Sequence, residues 1–378
     1  MTETPMAETA ETETPATTRV PGATPWFARP AARAWSCAPA PEAVRTYHAA
    51  LPGYAPTPLT ELPSLAAELG VGRVFVKDES ARLGLPAFKA LGASWAVHRL
   101  VEGRGERTVL VTATDGNHGR AVAREARRLG HGAHVFVSGA VHPGAAAAIE
   151  AEGARVTRVD GDYDRAVREA AEAAAADGRA VLVQDTAWPG YEEVPALIVE
   201  GYSTLFAEVD EQLAAAGAGA PGLVVVPVGV GSLAQAAVTH HRSRPAGPRA
   251  ALLAVEPTAA APALASLTRG EPVTVATRET AMAGLNCGTL SALAWPHLRA
   301  GLDAATAVTD AEAAGAARDL AALGVSSGPC GAASLAGARA ALTGAGAKER
   351  AAALGVGPGA TVVLLSTEGA AANPHGAA

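Results

Sequence analysis

The chain has 378 residues, 49% hydrophobic and 18% charged, with a formal net charge of −7. That length and apolar content exceed the needs of one compact core and suit two domains sharing a cleft, while the lack of any Lys/Arg run excludes nucleic acid and membrane as expected partners and favours small-molecule chemistry. The three cysteines, Cys37, Cys287 and Cys330, are too far apart in sequence to suggest a disulfide framework or a paired-cysteine zinc site, so a reducing cytoplasm is expected and no metal.

Residues 1–24 are rich in Thr, Glu, Pro and Ala, lack the apolar core and basic leader of a signal peptide, and are expected to form a disordered tail. No run of about eighteen residues is apolar and unbroken enough to span a bilayer. Short β-branched or apolar runs then alternate with Ala-rich segments of helical period, the pattern of helices packed on largely parallel sheets. The predicted strands are Arg73–Lys77, Thr108–Thr112, His134–Val137, Arg155–Val159, Ala180–Val183, Leu223–Val226, Ala251–Val255 and Thr361–Leu365. In open α/β sheets ligands collect at the carboxyl ends of such strands.

Between the first two strands, Lys89 stands alone in the apolar segment Ala87-Phe88-Lys89-Ala90-Leu91-Gly92-Ala93, at the start of a helical pattern running to about Leu100. It is either a snorkelling surface residue or a desolvated amine able to form an imine. Asp115 and Asp185 each follow a strand, where an acid caps a helix or serves as a general base. His118 is a conceivable proton shuttle without a second metal ligand nearby. The turn Gly229-Val230-Gly231-Ser232 can cradle a phosphate at a helix N-terminus. Read as a dinucleotide fingerprint instead, it would take Glu256 as the ribose acid. Cys330 is either a buried small residue or a weak hydrogen-bond partner for a ligand.

Taken in order, Gly53-Tyr54-Ala55-Pro56-Thr57-Pro58-Leu59, Val76-Lys77-Asp78-Glu79-Ser80, Ala87-Phe88-Lys89-Ala90-Leu91-Gly92 and Thr114-Asp115-Gly116-Asn117-His118-Gly119 form a recognisable series. It continues through Gln184-Asp185-Thr186-Ala187-Trp188, Gly190-Tyr191-Glu192, Gly229-Val230-Gly231-Ser232, Met282-Ala283-Gly284-Leu285 and Ser366-Thr367-Glu368-Gly369. From about Pro25 to Pro374 the chain resembles the fold-type II pyridoxal-phosphate family, the tryptophan synthase β-like group of threonine and serine dehydratases, and within it the diaminopropionate ammonia-lyases. The resemblance implies twisted, mostly parallel sheets flanked by helices, with the cofactor between a large domain (25–90 and 193–378) and a small one (91–192), and a homodimer.

By the same resemblance Lys89 is the Schiff-base lysine, Phe88 packs near the ring, Asn117 hydrogen-bonds the phenolic oxygen, the amides of Gly229, Val230, Gly231 and Ser232 hold the phosphate, and Cys330 faces the pyridine nitrogen. Ordinary dehydratases carry Ser at the place of Asp115, whereas the diaminopropionate lyases carry Asp there and a second acid matching Asp185. The implied reaction is α,β-elimination from 2,3-diaminopropionate to pyruvate and ammonia, with Lys89 and Asp115 as proton carriers on opposite faces. The chain departs from the family at Pro329-Cys330 and at Ala370-Ala371-Ala372, where acidic groups are lost. A lyase or β-replacement enzyme for another β-substituted amino acid, such as serine, is the alternative within the cofactor class. A nicotinamide-dependent oxidoreductase is the alternative outside it.

Overall fold

The computed structural model describes residues 24–104, 106–244 and 249–372. The tail expected over residues 1–24 therefore lies, Thr24 apart, outside the described residues, as do Asn373 and Pro374. Among the described residues eleven strands form two sheets. The larger contains β1 (Trp26–Ala28), β2 (Leu59–Glu61), β3 (Arg73–Asp78), β8 (Leu223–Pro227), β9 (Ala251–Pro257), β10 (Ala304–Val308) and β11 (Thr361–Ser366), in the order β1-β10-β9-β8-β11-β3-β2. Its edge strands β1 and β2 are antiparallel to their neighbours and every other pairing is parallel. The smaller sheet, β6-β5-β4-β7, is wholly parallel and built from β4 (Val109–Ala113), β5 (Gly132–Ser138), β6 (Arg155–Val159) and β7 (Ala180–Leu182).

This is the α/β arrangement expected from the alternation of apolar runs and helical segments. Strands β8 to β11 are buried along their whole length, as a parallel sheet covered on both faces requires, which is why β8, β9 and β11 read largely as apolar runs rather than alternations. All eight predicted strands occur: β3, β5, β8, β9 and β11 are longer than expected, β6 is as expected, β4 is shifted by one residue and β7 is a residue shorter. The helix at Lys89 runs to Val101. No helix among the described residues is long and apolar enough to cross a membrane, and all three cysteines are free.

One buried network matters for the site. Lys77 ends β3's inward row and its Nζ meets Glu208 Oε2 at 2.7 Å, while Arg82 spans Glu208 and Glu79 at 2.7 Å each, with all four side chains fully buried. Charges taken from water persist only when partnered this completely. The network fixes the irregular segment between β3 and Lys89, and Phe88 N to Thr367 O (3.1 Å) and Gly369 N to Pro86 O (2.9 Å) lash the last part of it to the end of β11.

Candidate active site

The carboxyl ends of strands from both sheets open onto a single cavity of about 1010 Å³. Lys89, Phe88, Asp115, Asn117, Asp185, the run Gly229 to Ser232, and Cys330 all line it, so residues scattered over some 240 positions of sequence meet in one chamber. The chain has three lysines. Lys77 is held in the buried network and Lys348 is exposed on the helix Ala347–Leu354, so Lys89 is the one whose amine reaches the cavity. Its side chain is 20% exposed and forms an ion pair with Asp185, and its Nζ lies 5.6 Å from the Phe88 ring centroid. Phe88 in turn packs against Tyr202, the ring centroids 4.8 Å apart.

The two acids differ in electrostatic state. Burial alone would raise the Asp185 carboxyl, but the Lys89 ammonium, aided by His118, holds it down to about 2. Asp115 has no such partner. Burial, reinforced by the nearby Asp185 carboxylate and only partly opposed by Lys89, pushes it up to about 7. Burial would likewise lower the Lys89 ammonium, but Asp185 outweighs it and keeps Lys89 above its usual range. A charged buried pair beside a carboxyl poised near neutrality is the kind of divergence that marks acid–base sites.

Neither acid is a helix cap. Thr114 Oγ1 accepts from the amides of Gly116 (2.9 Å) and Gly119 (3.1 Å) at the start of the helix Asn117–Arg128, which leaves Asp115 free to face the cavity. After Asp185 the next helix begins only at Glu193. Beside Asp185, His118 donates from Nε2 to the Val183 carbonyl at 2.7 Å, which fixes its tautomer. Its Nδ1 is left buried without a hydrogen-bond partner, 4.0 Å from Asp185 Oδ2. Gln184 accepts from Ala113 N (2.9 Å) and Thr112 Oγ1 (3.0 Å) and donates to the Tyr163 hydroxyl (2.8 Å), so Tyr163 also lines the chamber. Burial among these acids holds the Tyr163 phenol well above its ordinary value.

At the other end, the turn from β8 into the helix Ser232–Arg242 has the form of an anion cradle. Gly231 adopts φ +98°, and a β-carbon there would lie 3.1 Å from Ala294 Cβ, while one at Gly229 would lie 2.9 Å from the Gly284 carbonyl oxygen. None of the amides of Gly229, Val230, Gly231 and Ser232 donates a hydrogen bond among the described residues. Four unpaired N–H groups at a helix N-terminus suit a phosphate. Ser232 contributes only its amide to that end, because its hydroxyl donates to the Asp185 carbonyl at 2.8 Å. Asn117 Nδ2 donates to Glu368 Oε2 at 2.7 Å, and Cys330, 3% exposed, sits near the start of the helix Pro329–Leu342.

The dinucleotide interpretation of this turn is corrected by Glu256. Its carboxyl is fully buried, accepts from the amides of Ala263 and Leu264 at 2.8 Å each, and so caps the helix Pro262–Arg269 rather than meeting a ribose.

A buried lysine amine, a turn with four unpaired amides suited to a phosphate and an aromatic neighbour converge on one cleft at the ends of two mostly parallel sheets, an arrangement that fits a pyridoxal-phosphate enzyme. The family model described as pyridoxal-phosphate dependent enzyme matches residues 50–368, and the chain belongs to that family. Among curated relatives, the diaminopropionate ammonia-lyase of Salmonella typhimurium is 38% identical over 285 residues, covering 68% of this chain and 69% of the relative. Its Escherichia coli counterpart is 36% identical over 273 residues, covering 68% of each. The solved Escherichia coli diaminopropionate ammonia lyase in complex with an aminoacrylate–PLP azomethine reaction intermediate superposes with a TM-score of 0.81 at 33% identity, covering 88% of this chain and 89% of that one. Maize serine racemase, at 23% identity and a TM-score of 0.72 over 88% of this chain and 93% of that one, shares the fold.

Proposed function

We propose that this enzyme eliminates ammonia from 2,3-diaminopropionate to give pyruvate and ammonia. The observation that carries the reading is the pair Asp115 and Asp185 beside Lys89 in one cavity, one carboxyl near 7 and the other ionised near 2. Two further supports are the relatives at 36% and 38% identity that bear the name of this activity.

In this reading Lys89 would hold the cofactor through its amine, which must first leave Asp185 and lose a proton. The amides of Gly229, Val230, Gly231 and Ser232 would bind the phosphate, Phe88 would pack beside the ring, Asn117 would donate to the phenolic oxygen, and Cys330 would face the pyridine nitrogen. Bound pyridoxal phosphate supplies an electron sink for the charge left on Cα. Lys89 and Asp115 are the two groups able to take the Cα proton, and a lyase acting on both enantiomers needs one on each face. Asp115 is poised to accept a proton and return it near neutral pH. Asp185, once Lys89 has withdrawn, offers its carboxylate to the substrate's distal ammonium. Burial lowers the His118 imidazole from its ordinary range, so its unpartnered Nδ1 offers an acceptor lone pair beside Asp185. Water completes the conversion, releasing the second ammonia.

The partner is a small amino acid. Homodimeric assembly and a cytoplasmic location are part of the proposal, supported by the family resemblance, as is the division into 25–90 with 193–378 and 91–192, supported by the β4 to β7 sheet falling inside the latter range. The test is to incubate purified protein and pyridoxal phosphate with a panel of β-substituted alanines and to measure pyruvate and ammonia together. Diaminopropionate should be the best substrate and give twice as much ammonia as pyruvate. A preference for serine, with equal amounts of the two products, would move the assignment to a dehydratase.

A further inference from the structure

Glu368 has no role in the chemistry above, yet two of the proposed cofactor contacts, Asn117 and Cys330, converge on it. It stands two residues beyond the end of β11, 4% exposed. Its Oε2 accepts from Asn117 Nδ2 at 2.7 Å and its Oε1 from the Cys330 amide at 3.3 Å. Its backbone forms an antiparallel bridge with Ala87, two residues before Lys89. The wall behind it is shaped for the carboxyl, because a β-carbon at Gly328 would lie 2.8 Å from Oε1.

We propose that Glu368 is a positioning residue that orients Asn117 and Cys330 together, and so tunes both ends of the pyridoxal ring from one carboxyl. The proposal rests on the assignment of Asn117 and Cys330 to the ring. A primary amide has two N–H donors and one acceptor oxygen. With one N–H committed to Glu368, the Asn117 amide cannot flip, and its second N–H keeps a fixed direction for the phenolic oxygen. At the other end, Oε1 holds the Cys330 amide and so fixes the start of the helix Pro329–Leu342, which sets where the thiol, only a weak hydrogen-bonding group, stands relative to the pyridine nitrogen. Burial pushes the Glu368 carboxyl up while Cys330, Asn117 and Lys89 pull it down, so the carboxyl is kept in place by partners drawn from the site itself.

The experiment compares holoenzyme carrying Glu368→Ala, Glu368→Gln, Gly328→Ala, Asn117→Ala and the Glu368→Ala/Asn117→Ala double change. The readouts are the visible absorption of the bound cofactor as a function of pH, with kcat and KM. Glu368→Ala should move the pH midpoint of the absorption change by about one unit or more and lower kcat about tenfold or more with little change in KM. The double variant should be no worse than Asn117→Ala beyond about threefold, the non-additivity of residues acting through one another. Gly328→Ala, which leaves Glu368 in the chain but displaces its carboxyl, should shift the midpoint in the same direction. Glu368→Gln keeps the shape and one acceptor oxygen, so it folds where Ala does not and should give an intermediate shift. Wild-type absorption and pH profile in the Gln and Gly328→Ala variants, or fully additive losses in the double variant, would overturn the proposal. A wild type that gains no cofactor absorption at all would instead overturn the site assignment beneath it.

Discussion

Replacing Asp115 by Asn removes a carboxyl that burial, with Asp185, pushes up from 3.8 to about 7. Because the folded-state value lies above the unfolded one, folding takes up a proton between these limits. The contribution of Asp115 to stability therefore falls as pH rises from about 4 to about 7 and stays at its least favourable level above that. At about 1.4 kcal/mol per tenfold change in proton affinity the full penalty is about 4 kcal/mol, which screening through the open side of the cavity reduces to about 1–3 kcal/mol. Cofactor-free Asp115→Asn should thus melt a few degrees above wild type at about pH 8.5 and at nearly the same temperature at about pH 4. Its turnover of one enantiomer of 2,3-diaminopropionate should meanwhile fall by about two to four orders of magnitude, the other suffering far less. Calorimetry across the pH range and initial rates of pyruvate formation on each enantiomer read the two effects. A variant that melts below wild type by the same amount at every pH, as the loss of a cap would cause, and that slows both enantiomers alike would refute the reasoning.

Asp185→Asn takes away the charge that keeps the Lys89 ammonium raised, so cofactor capture by the cofactor-free protein should quicken at neutral pH while KM rises more for diaminopropionate than for serine; stopped-flow absorbance and steady-state kinetics measure these. Gly231→Ala forces a side chain onto φ +98° and within 3.1 Å of Ala294, and the displaced amide should weaken cofactor affinity about tenfold or more in an equilibrium titration. Glu208→Gln leaves Lys77 and Arg82 buried without their shared counter-charge, and should lower stability by about 3–5 kcal/mol in urea unfolding.

Where the sequence was legible, it was because the signal was local. The buried parallel strands β8, β9 and β11 carry continuous apolar runs, and the turns after β8 and β11 advertise Gly or acid residues. β10 was missed because Ala304-Ala305-Thr306-Ala307-Val308 has the composition of a helix, and only its place between β1 and β9 makes it a strand. β1 and β2 are three-residue edges too short to carry a period. In the site, the choice between cap and cavity for Asp115 depended on Thr114 taking both amides, which spacing alone does not reveal. The choice between snorkelling and burial for Lys89 depended on Asp185, 96 residues away. Glu368 stood within a quoted motif without a role, because its partner Asn117 is 251 residues distant. Tyr163 carried no local signal, since it joins the site only through Gln184.

The central claim, that Lys89 anchors pyridoxal phosphate in the cavity shared with Asp115 and Asp185, is tested most directly by borohydride reduction of the cofactor-loaded enzyme followed by peptide mass mapping. With only three lysines in the chain the outcome is decisive. The account predicts the cofactor's mass on the peptide containing Lys89, and its loss in Lys89→Ala. Label on Lys77 or Lys348, or none on any lysine of a visibly coloured protein, would contradict it.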